Sequence, residues 1–267
     1  LVGSEMCIRD SLQSIRCFLS EKGYWEVHTP KIISSATEGG AALFPLMYYN
    51  REAFLSQSPQ LYKEQLAGVF EKVFEIGPIY RAEQFRTLRH LSESISIDLE
   101  EAYVDYEDVM KVAEEMVARV VRDVVDQRGE ELKVLGHSLE VPSTPFKRYT
   151  YDEVLQELRR KGVEVPWGED IPTQSLKEFG GEKEEFYFIK DWPDATKPFY
   201  IMPSSDPTYS ESFDLQKGWL ELSSGGTRIH NKDQLEKSIE SKGLNPLSFE
   251  SHLKTLEFGM PPHAGVG

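Results

Sequence analysis

The spacing of apolar residues changes period several times along the chain. Leu12, Ile15, Cys17, Phe18 and Leu19 recur at helical spacing within residues 11–22, and Gly23 ends the run. YWEVHTP (24–30) alternates and closes on Pro30, which predicts a strand finishing at a sheet edge. Residues 34–42 (SSATEGGAA) are small and Gly-rich and read as a mobile loop. AFLSQ (53–57) reads as a short strand, QLYKEQLAGVF (60–70) as a helix and KVFEIGPIYRAE (72–83) as a strand. QFRT then forms a turn, and SISIDLEEAYV (94–104) is the antiparallel return. Residues 107–128 give the clearest helix, with Val109, Met110, Val112, Ala113, Met116, Val117, Val120, Val121, Val124 and Val125 on one broad apolar face. A second helix is expected near 151–161. FYFIKDWP, KPFYIMP, ESFDLQ and WLELSSG are strand-like, and KDQLEKSIESKG and PLSFESHLKTLEFG read as helices.

Strands in hairpin order, without strict alternation with helices, define the fold class as α+β: an antiparallel sheet flanked by helices. The mixed region at about 107–185 reads as an insertion between core strands. The final PPHAGVG reads as a Gly-rich stretch that stops in mid-motif, so the chain is expected to be incomplete at its C-terminus. The first ten residues fit poorly onto the helical pattern that follows them.

The length of 267 residues suits about one large domain, and 39% apolar with 28% charged residues is the balance of a globular protein. No stretch approaches the roughly eighteen apolar residues of a membrane span, and the first residues lack the apolar run of a signal peptide. Thirty basic against 45 acidic residues leave a net charge of −15. Such a chain is a poor general binder of polyanions, so a nucleic-acid partner must meet a local basic patch or a separate module. Cys7 and Cys17 are the only cysteines, which excludes a disulfide framework. Neither pairs with a His at zinc spacing.

Four constellations carry chemistry. Arg81-Ala82-Glu83 is followed by QFRTL and then Arg89-His90-Leu91-Ser92-Glu93. On a hairpin Arg81 and Glu83 share a face, and Arg89 and His90 fall at the turn or early in the return strand. Three cationic or hydrogen-bonding groups beside a carboxylate suit a polyphosphate with its metal, because guanidinium groups bind phosphate oxygens bidentately. In Glu221-Leu222-Ser223-Ser224-Gly225-Gly226-Thr227-Arg228, strand periodicity puts Glu221 and Ser223 on one face. Carboxylate and hydroxyl oxygens are hard ligands suited to Mg²⁺. Gly225 and Gly226 let a ligand lie against backbone, and Arg228 could clamp a carboxylate. Gln60 and Lys63, three apart on a helical first turn, offer an amide and an ammonium to a small acidic group. Ala36-Thr37-Glu38-Gly39-Gly40 reads as a hinged lid bringing Glu38 to an amine.

EVHTP, SQSPQLYK, YRAEQFRTLRHLSE, FDLQ, ELSSGGTRIH and GMPPHAGVG, in that order, resemble the catalytic domain of class II aminoacyl-tRNA synthetases, of the aspartyl type found in archaea and eukaryotes. The resemblance runs from about residue 11 to 267. It implies an antiparallel sheet in a homodimer joined through the motif around Pro30. The implied reaction joins L-aspartate to ATP as aspartyl-adenylate and then transfers it to tRNA, in the cytoplasm and without a membrane. Arg81 would hold the α-phosphate and the substrate carboxylate. Glu83 would face the adenine or the tRNA end, and Arg89 and His90 the distal phosphates. Glu221 and Ser224 would bind Mg²⁺ beside ATP, with Asp214 helping. Lys63 and Arg228 would grip the aspartate side chain near Ser224, and Gln60 and Glu38 would meet its α-amino end.

The sequence departs from the family in three ways. The Gly-rich motif ends at Gly267, before the Arg that holds ATP in relatives. Ser94 and Ile95 stand where many relatives carry an adenine-stacking aromatic, and the family's N-terminal anticodon-binding domain is not expected within these residues. Asparaginyl and lysyl members are close alternatives, as is a paralogue making asparagine without tRNA. SIDLE and LSSGGTRIH look more aspartate-like, and charging of asparagine tRNA as well stays open.

Overall fold

The computed structural model describes residues 2–34, 43–82 and 91–267, with side chains from residue 5 onward. Helix α1 (Val2–Glu21) leads into the two-residue strand β1 (Trp25–Glu26). Strands β2 (Ile32–Ile33), β3 (Pro45–Tyr48) and β4 (Arg51–Leu55) form a small separate sheet in the order β2-β4-β3. Helix α2 (Gln60–Phe70) then precedes β5 (Lys72–Tyr80), β6 (Glu93–Ala102) and α3 (Tyr106–Val134). Next come β7 (Lys147–Thr150), α4 (Tyr151–Arg160), α5 (Thr173–Gly180) and β8 (Phe186–Lys190). The chain closes with β9 (Ser212–Lys217), β10 (Leu220–Thr227), α6 (Lys232–Ser241), α7 (Glu250–Leu256) and β11 (His263–Val266).

Eight strands form the main sheet in the order β1-β5-β6-β11-β10-β9-β8-β7. Its six inner strands are antiparallel, as the hairpin reading expects, while β1–β5 and β7–β8 are parallel pairs at the two edges. Most predicted helices and strands occur where their periodicity placed them, but three segments differ. KPFYIMP makes isolated bridges at Ile201 and Pro203 instead of a strand. The prolines at its two ends lack N–H donors, and Phe199, Tyr200 and Ile201 pack with α6 and α7. PPHAGVG is no loose tail: His263–Val266 is a central strand between β6 and β10. The stretch 107–185 is built into the sheet, for α3 packs across one face and β7 and β8 extend the edge.

The two faces of the sheet differ in chemistry. Phe74, Leu99, Phe188, Phe213, Leu215, Ala264 and Val266 point to one side and pack under α1 and α3 with Ile15, Phe18, Leu19, Val109 and Met110. Side chains alternate along a strand, so the register places Glu75, Asp98, Glu100, Asp214 and Gln216 on the other side, all buried. Helices α4 and α5 cover one end of that polar face around Tyr151, Phe179 and Trp192. Helices α6 and α7 pack around Phe199, Ile239 and Leu253. The glycine of β11 belongs to this design. A Cβ on Gly265 would lie 1.9 Å from Glu100 Oε2 and 2.4 Å from the Leu99 carbonyl oxygen.

Gly265→Ala is therefore expected to lower stability by about 3 kcal/mol, by overpacking and by displacing a buried carboxylate. Gly129→Ala, with open space around its Cβ in α3, is expected not to lower it. Thermal and urea unfolding of the two variants decides the matter, and equal stability for both would contradict this role of Gly265.

Candidate active site

On the polar face a cavity of about 340 Å³ is bounded by Ser58, Gln60, Arg81, Lys197, Glu221, Ser224 and Arg228 among others. Four elements or their ends contribute these residues. Gln60 comes from the first turn of α2, and Arg81 directly follows β5. Lys197 follows the short turn Asp194–Thr196, Glu221 and Ser224 come from β10, and Arg228 directly follows β10.

A β-bulge decides which β10 side chains reach the cavity. Glu221 lies opposite Gln216, Ser223 opposite Leu215 and Ser224 opposite Asp214, with Leu222 the extra residue. Directly paired residues share a face, so Glu221 and Ser224, not Ser223, project with Asp214 and Gln216. The expected pairing of Glu221 with Ser223 is thus corrected, because the bulge shifts the alternation by one. Packing also requires the glycines that follow, and Gly225 lines the cavity. A Cβ on Gly225 would meet Gly265 O and the Phe213 ring at 2.6 Å, and one on Gly226 would meet Glu211 O at 2.5 Å.

Beneath the cavity lies a chain of buried charges. Arg228 donates from Nε and Nη2 to Glu100 at 2.9 and 3.3 Å. This leaves Nη1 without a hydrogen bond among the described residues. Lys63 Nζ donates to Asp98 Oδ1 at 3.0 Å and Val266 O at 3.3 Å, and stands 3.5 Å from Glu100 Oε2. The second oxygen of Asp98 accepts from Ser96 at 2.5 Å. Asp98 and Glu100 are thus part of the site, although the residue motifs did not single them out. Their signal is the alternation itself: Ile95, Ile97 and Leu99 are the apolar set of β6, which leaves Ser96, Asp98 and Glu100 for the opposite face. Lys63 is almost fully buried and stands behind the cavity wall, whereas Gln60 and Arg228 line it. Asp214 is also behind the wall, with both oxygens on Lys197 Nζ at 2.9 and 3.0 Å. Lys197, which the motifs also missed, lines the cavity itself and lies 4.4 Å over the Trp192 ring.

Glu64 on α2 is fully buried between His252 Nε2 at 3.2 Å and His263 Nε2 at 3.6 Å. Burial alone would raise its carboxyl, but the two histidines outweigh that and hold it far below the ordinary carboxylate range. Burial pulls the His263 imidazole down, and Glu64 and Glu100 more than reverse this and raise it above its ordinary value. Arg228 is likewise opposed by burial and held charged chiefly by Glu100.

Glu38, Glu83, Arg89 and His90 lie outside the described residues. Of the other expected site residues, Arg81, Gln60, Glu221, Ser224 and Arg228 share the cavity, with Lys63 and Asp214 one layer behind. Pro30 is exposed at the sheet edge, beside Thr29, whose N–H and hydroxyl donate to Glu75 at 2.9 and 2.6 Å. The described residues hold no group of three or more His, Cys, Asp or Glu side chains poised for a metal. Glu221 and Ser224 supply two hard oxygens at the cavity wall, and Mg²⁺ commonly completes such a partial shell with water and phosphate oxygens.

Comparison with known proteins adds the family. The model of the class II tRNA synthetases for aspartate, lysine and asparagine matches residues 6–267. The chain belongs to this family. An aspartate–tRNA(Asp/Asn) ligase of Archaeoglobus fulgidus is 57% identical over 96% of this chain and 60% of that relative. One from Methanothermobacter thermautotrophicus is 52% identical over 96% of this chain and 59% of its own. The crystal structure of the asparaginyl-tRNA synthetase of Pyrococcus horikoshii, complexed with asparaginyl-adenylate, superposes with a TM-score of 0.94 at 33% identity, covering 99% of this chain and 62% of that one. The aspartyl-tRNA synthetase of Entamoeba histolytica gives 0.87 at 32% identity, over 100% of this chain and 53% of its own. The chain therefore spans about 60% of the length of the curated relatives it matches. Among the described residues of this synthetase chain no helix is long and apolar enough to cross a membrane.

His263 gives this buried cluster a signature in pH. Its folded pKa is raised above the ordinary 6.5. Its stabilising contribution is fully present below pH about 6.5 and is lost as pH rises through the folded value. The unfolding midpoint of the native chain is expected to decline with pH above about 6.5, and His263→Gln to flatten that decline. Parallel pH profiles for the two proteins would contradict the assignment.

Proposed function

We propose that this chain carries the adenylate-forming centre of an aspartate–tRNA ligase. The observation that carries the reading is the convergence of Arg81, Arg228, Gln60, Glu221 and Ser224 on one cavity in a fold shared with aspartyl and asparaginyl synthetases. Relatives named aspartate–tRNA(Asp/Asn) ligases, 47–57% identical over nearly the whole chain, support aspartate as the amino acid.

In the reaction the α-carboxylate of aspartate attacks the α-phosphorus of ATP. A mixed anhydride forms and pyrophosphate leaves. A ribose hydroxyl at the end of tRNA then takes the aspartyl group and AMP departs. The first step joins two anions, so it requires positioning and charge neutralisation, with no protein nucleophile. Arg81, which lines the cavity, takes the α-phosphate and the attacking carboxylate, and Arg89 and His90 are assigned to the distal phosphates. Glu83 takes the adenine or the tRNA end. Glu221 and Ser224 are the residues that would hold Mg²⁺, with Asp214 behind them. The ion would neutralise phosphate charge. Arg228 offers Nη1 to the substrate side chain while Glu100 holds the rest of the guanidinium, and Lys63 adds positive potential from one layer below. Glu38 joins Gln60 at the α-amino end.

A neutral asparagine side chain leaves this positive site without a full charge partner, which disfavours it. The exposed, touching rings of Trp25 and Phe70 at the β1 edge, close in sequence to Pro30, support a homodimer through that edge. Transfer to tRNA(Asp), and to tRNA(Asn) where the relatives' naming is followed, belongs to the full-length protein. It would work in the cytoplasm without a membrane.

Full-length protein is expected to sediment as a dimer and to catalyse aspartate-dependent ATP–pyrophosphate exchange. Arg81→Ala is expected to lower kcat/KM by roughly 10² or more, for about 3 kcal/mol of lost transition-state stabilisation. Undiminished exchange in the variant would contradict the role of Arg81, and exchange driven equally well by asparagine would contradict the substrate.

A further inference from the structure

Gln60 brings an amide to the cavity wall, and an amide presents either a donor or an acceptor depending on which way it is turned. Its neighbour one turn along fixes which. Gln60 Nε2 lies 2.6 Å from Glu64 Oε1, in a buried pair. An ionised carboxylate only accepts hydrogen bonds, so the nitrogen of the amide must be the atom that faces Glu64. The carbonyl oxygen of Gln60 is then turned away from Glu64, and Gln60 lines the cavity.

The charge on Glu64 is itself enforced from two other elements. His252, on α7, has Nδ1 3.3 Å from Gln65 Nε2. With the Gln65 amide nitrogen donating, Nδ1 is the acceptor and Nε2 carries the proton that faces Glu64. His263, at the start of β11, has Nδ1 2.8 Å from the carbonyl oxygen of Pro261, which requires a proton on Nδ1. Its Nε2 faces Glu64 Oε2. Attraction there requires a second proton, so His263 stands as an imidazolium, in keeping with its raised pKa. Glu64 Oε1 therefore accepts one hydrogen bond, from the Gln60 amide, while Oε2 has the imidazole Nε2 atoms of His252 and His263, on separate elements, as charge partners at 3.2 and 3.6 Å. Nothing in this arrangement lets it present a proton to Gln60.

We propose that Glu64, braced by His252 and His263, is a positioning residue that turns the Gln60 amide so that its carbonyl oxygen meets the α-ammonium group of the substrate. The inference rests on the aspartate reading above and adds to it an orienting layer. It explains why an acidic residue is buried beside a pocket for an acidic substrate. Glu64 keeps the acceptor end of Gln60 at the cavity, which favours a ligand with a cationic amine over one with a hydroxyl or no polar group.

The test uses full-length protein, Glu64→Gln and Gln60→Met, with succinate as a probe that keeps both carboxylates of aspartate and lacks the amine. A glutamine at position 64 can pair with Gln60 either way round, so the fixed orientation is lost. Glu64→Gln is expected to raise KM for aspartate about tenfold with kcat and KM for ATP unchanged, as for a contact made equally in ground and transition states. The inhibition constant of succinate is expected to stay the same. Gln60→Met is expected to give the same split, with no further rise in KM when the two changes are combined, and it keeps the question answerable should Glu64→Gln fold poorly. An unchanged KM for aspartate, or a succinate constant that rises in step with it, overturns the inference. Absence of aspartate-dependent exchange in the wild-type protein overturns the aspartate reading and this inference with it.

Discussion

Glu100 is the side chain on which the rest of the site depends. Its two oxygens hold Arg228 at 2.9 and 3.3 Å, and one of them stands 3.5 Å from Lys63. Three fully buried charges in contact carry a heavy desolvation cost, offset only when each is well paired. Asp98 supplies the remaining partner of Lys63, and Gly265 supplies the space that Glu100 occupies. A residue with no side chain in one strand and a carboxylate in the next are thus two halves of one requirement. The result is a pair of cations fixed before any ligand arrives, so that little reorganisation is left for the moment of binding.

The sheet makes this possible by separating two tasks. Its apolar face, under α1 and α3, supplies the hydrophobic burial that drives folding. Its polar face is free to carry carboxylates that would be intolerable in an ordinary core. The bulge in β10 aims Glu221 and Ser224 to the same side, where a regular strand would send them to opposite faces. Lys197 shields Asp214 from the cavity, and the Glu64 cluster closes the far end under Gln60.

Much of the fold was legible in the sequence because its periodicities are strong. Helix α2 begins and ends where the pattern of residues 60–70 places it, and α3 follows its valine stripe. Strand β11 was not legible, since PPHAGVG has the composition of a loop and its strand character comes wholly from its neighbours β6 and β10. The site was legible where residue type and short spacing carry the chemistry, as at Arg81, Gln60 and Arg228. It was not legible where the cause lies across the sheet. The bulge, the pairing of Lys63 with Asp98 and the cap of Lys197 on Asp214 join residues 17 to 35 positions apart or depend on register. Short-range patterns do not report such contacts.

The most direct test is the affinity of full-length Glu100→Gln for L-aspartate by calorimetry. Removing this carboxylate makes the site more positive by one charge, so attraction by net charge alone would tighten binding. If Glu100 instead fixes Lys63 and Arg228 in place, binding weakens by tenfold or more. Aspartate held as tightly as in the wild-type protein, or more tightly, would contradict the account.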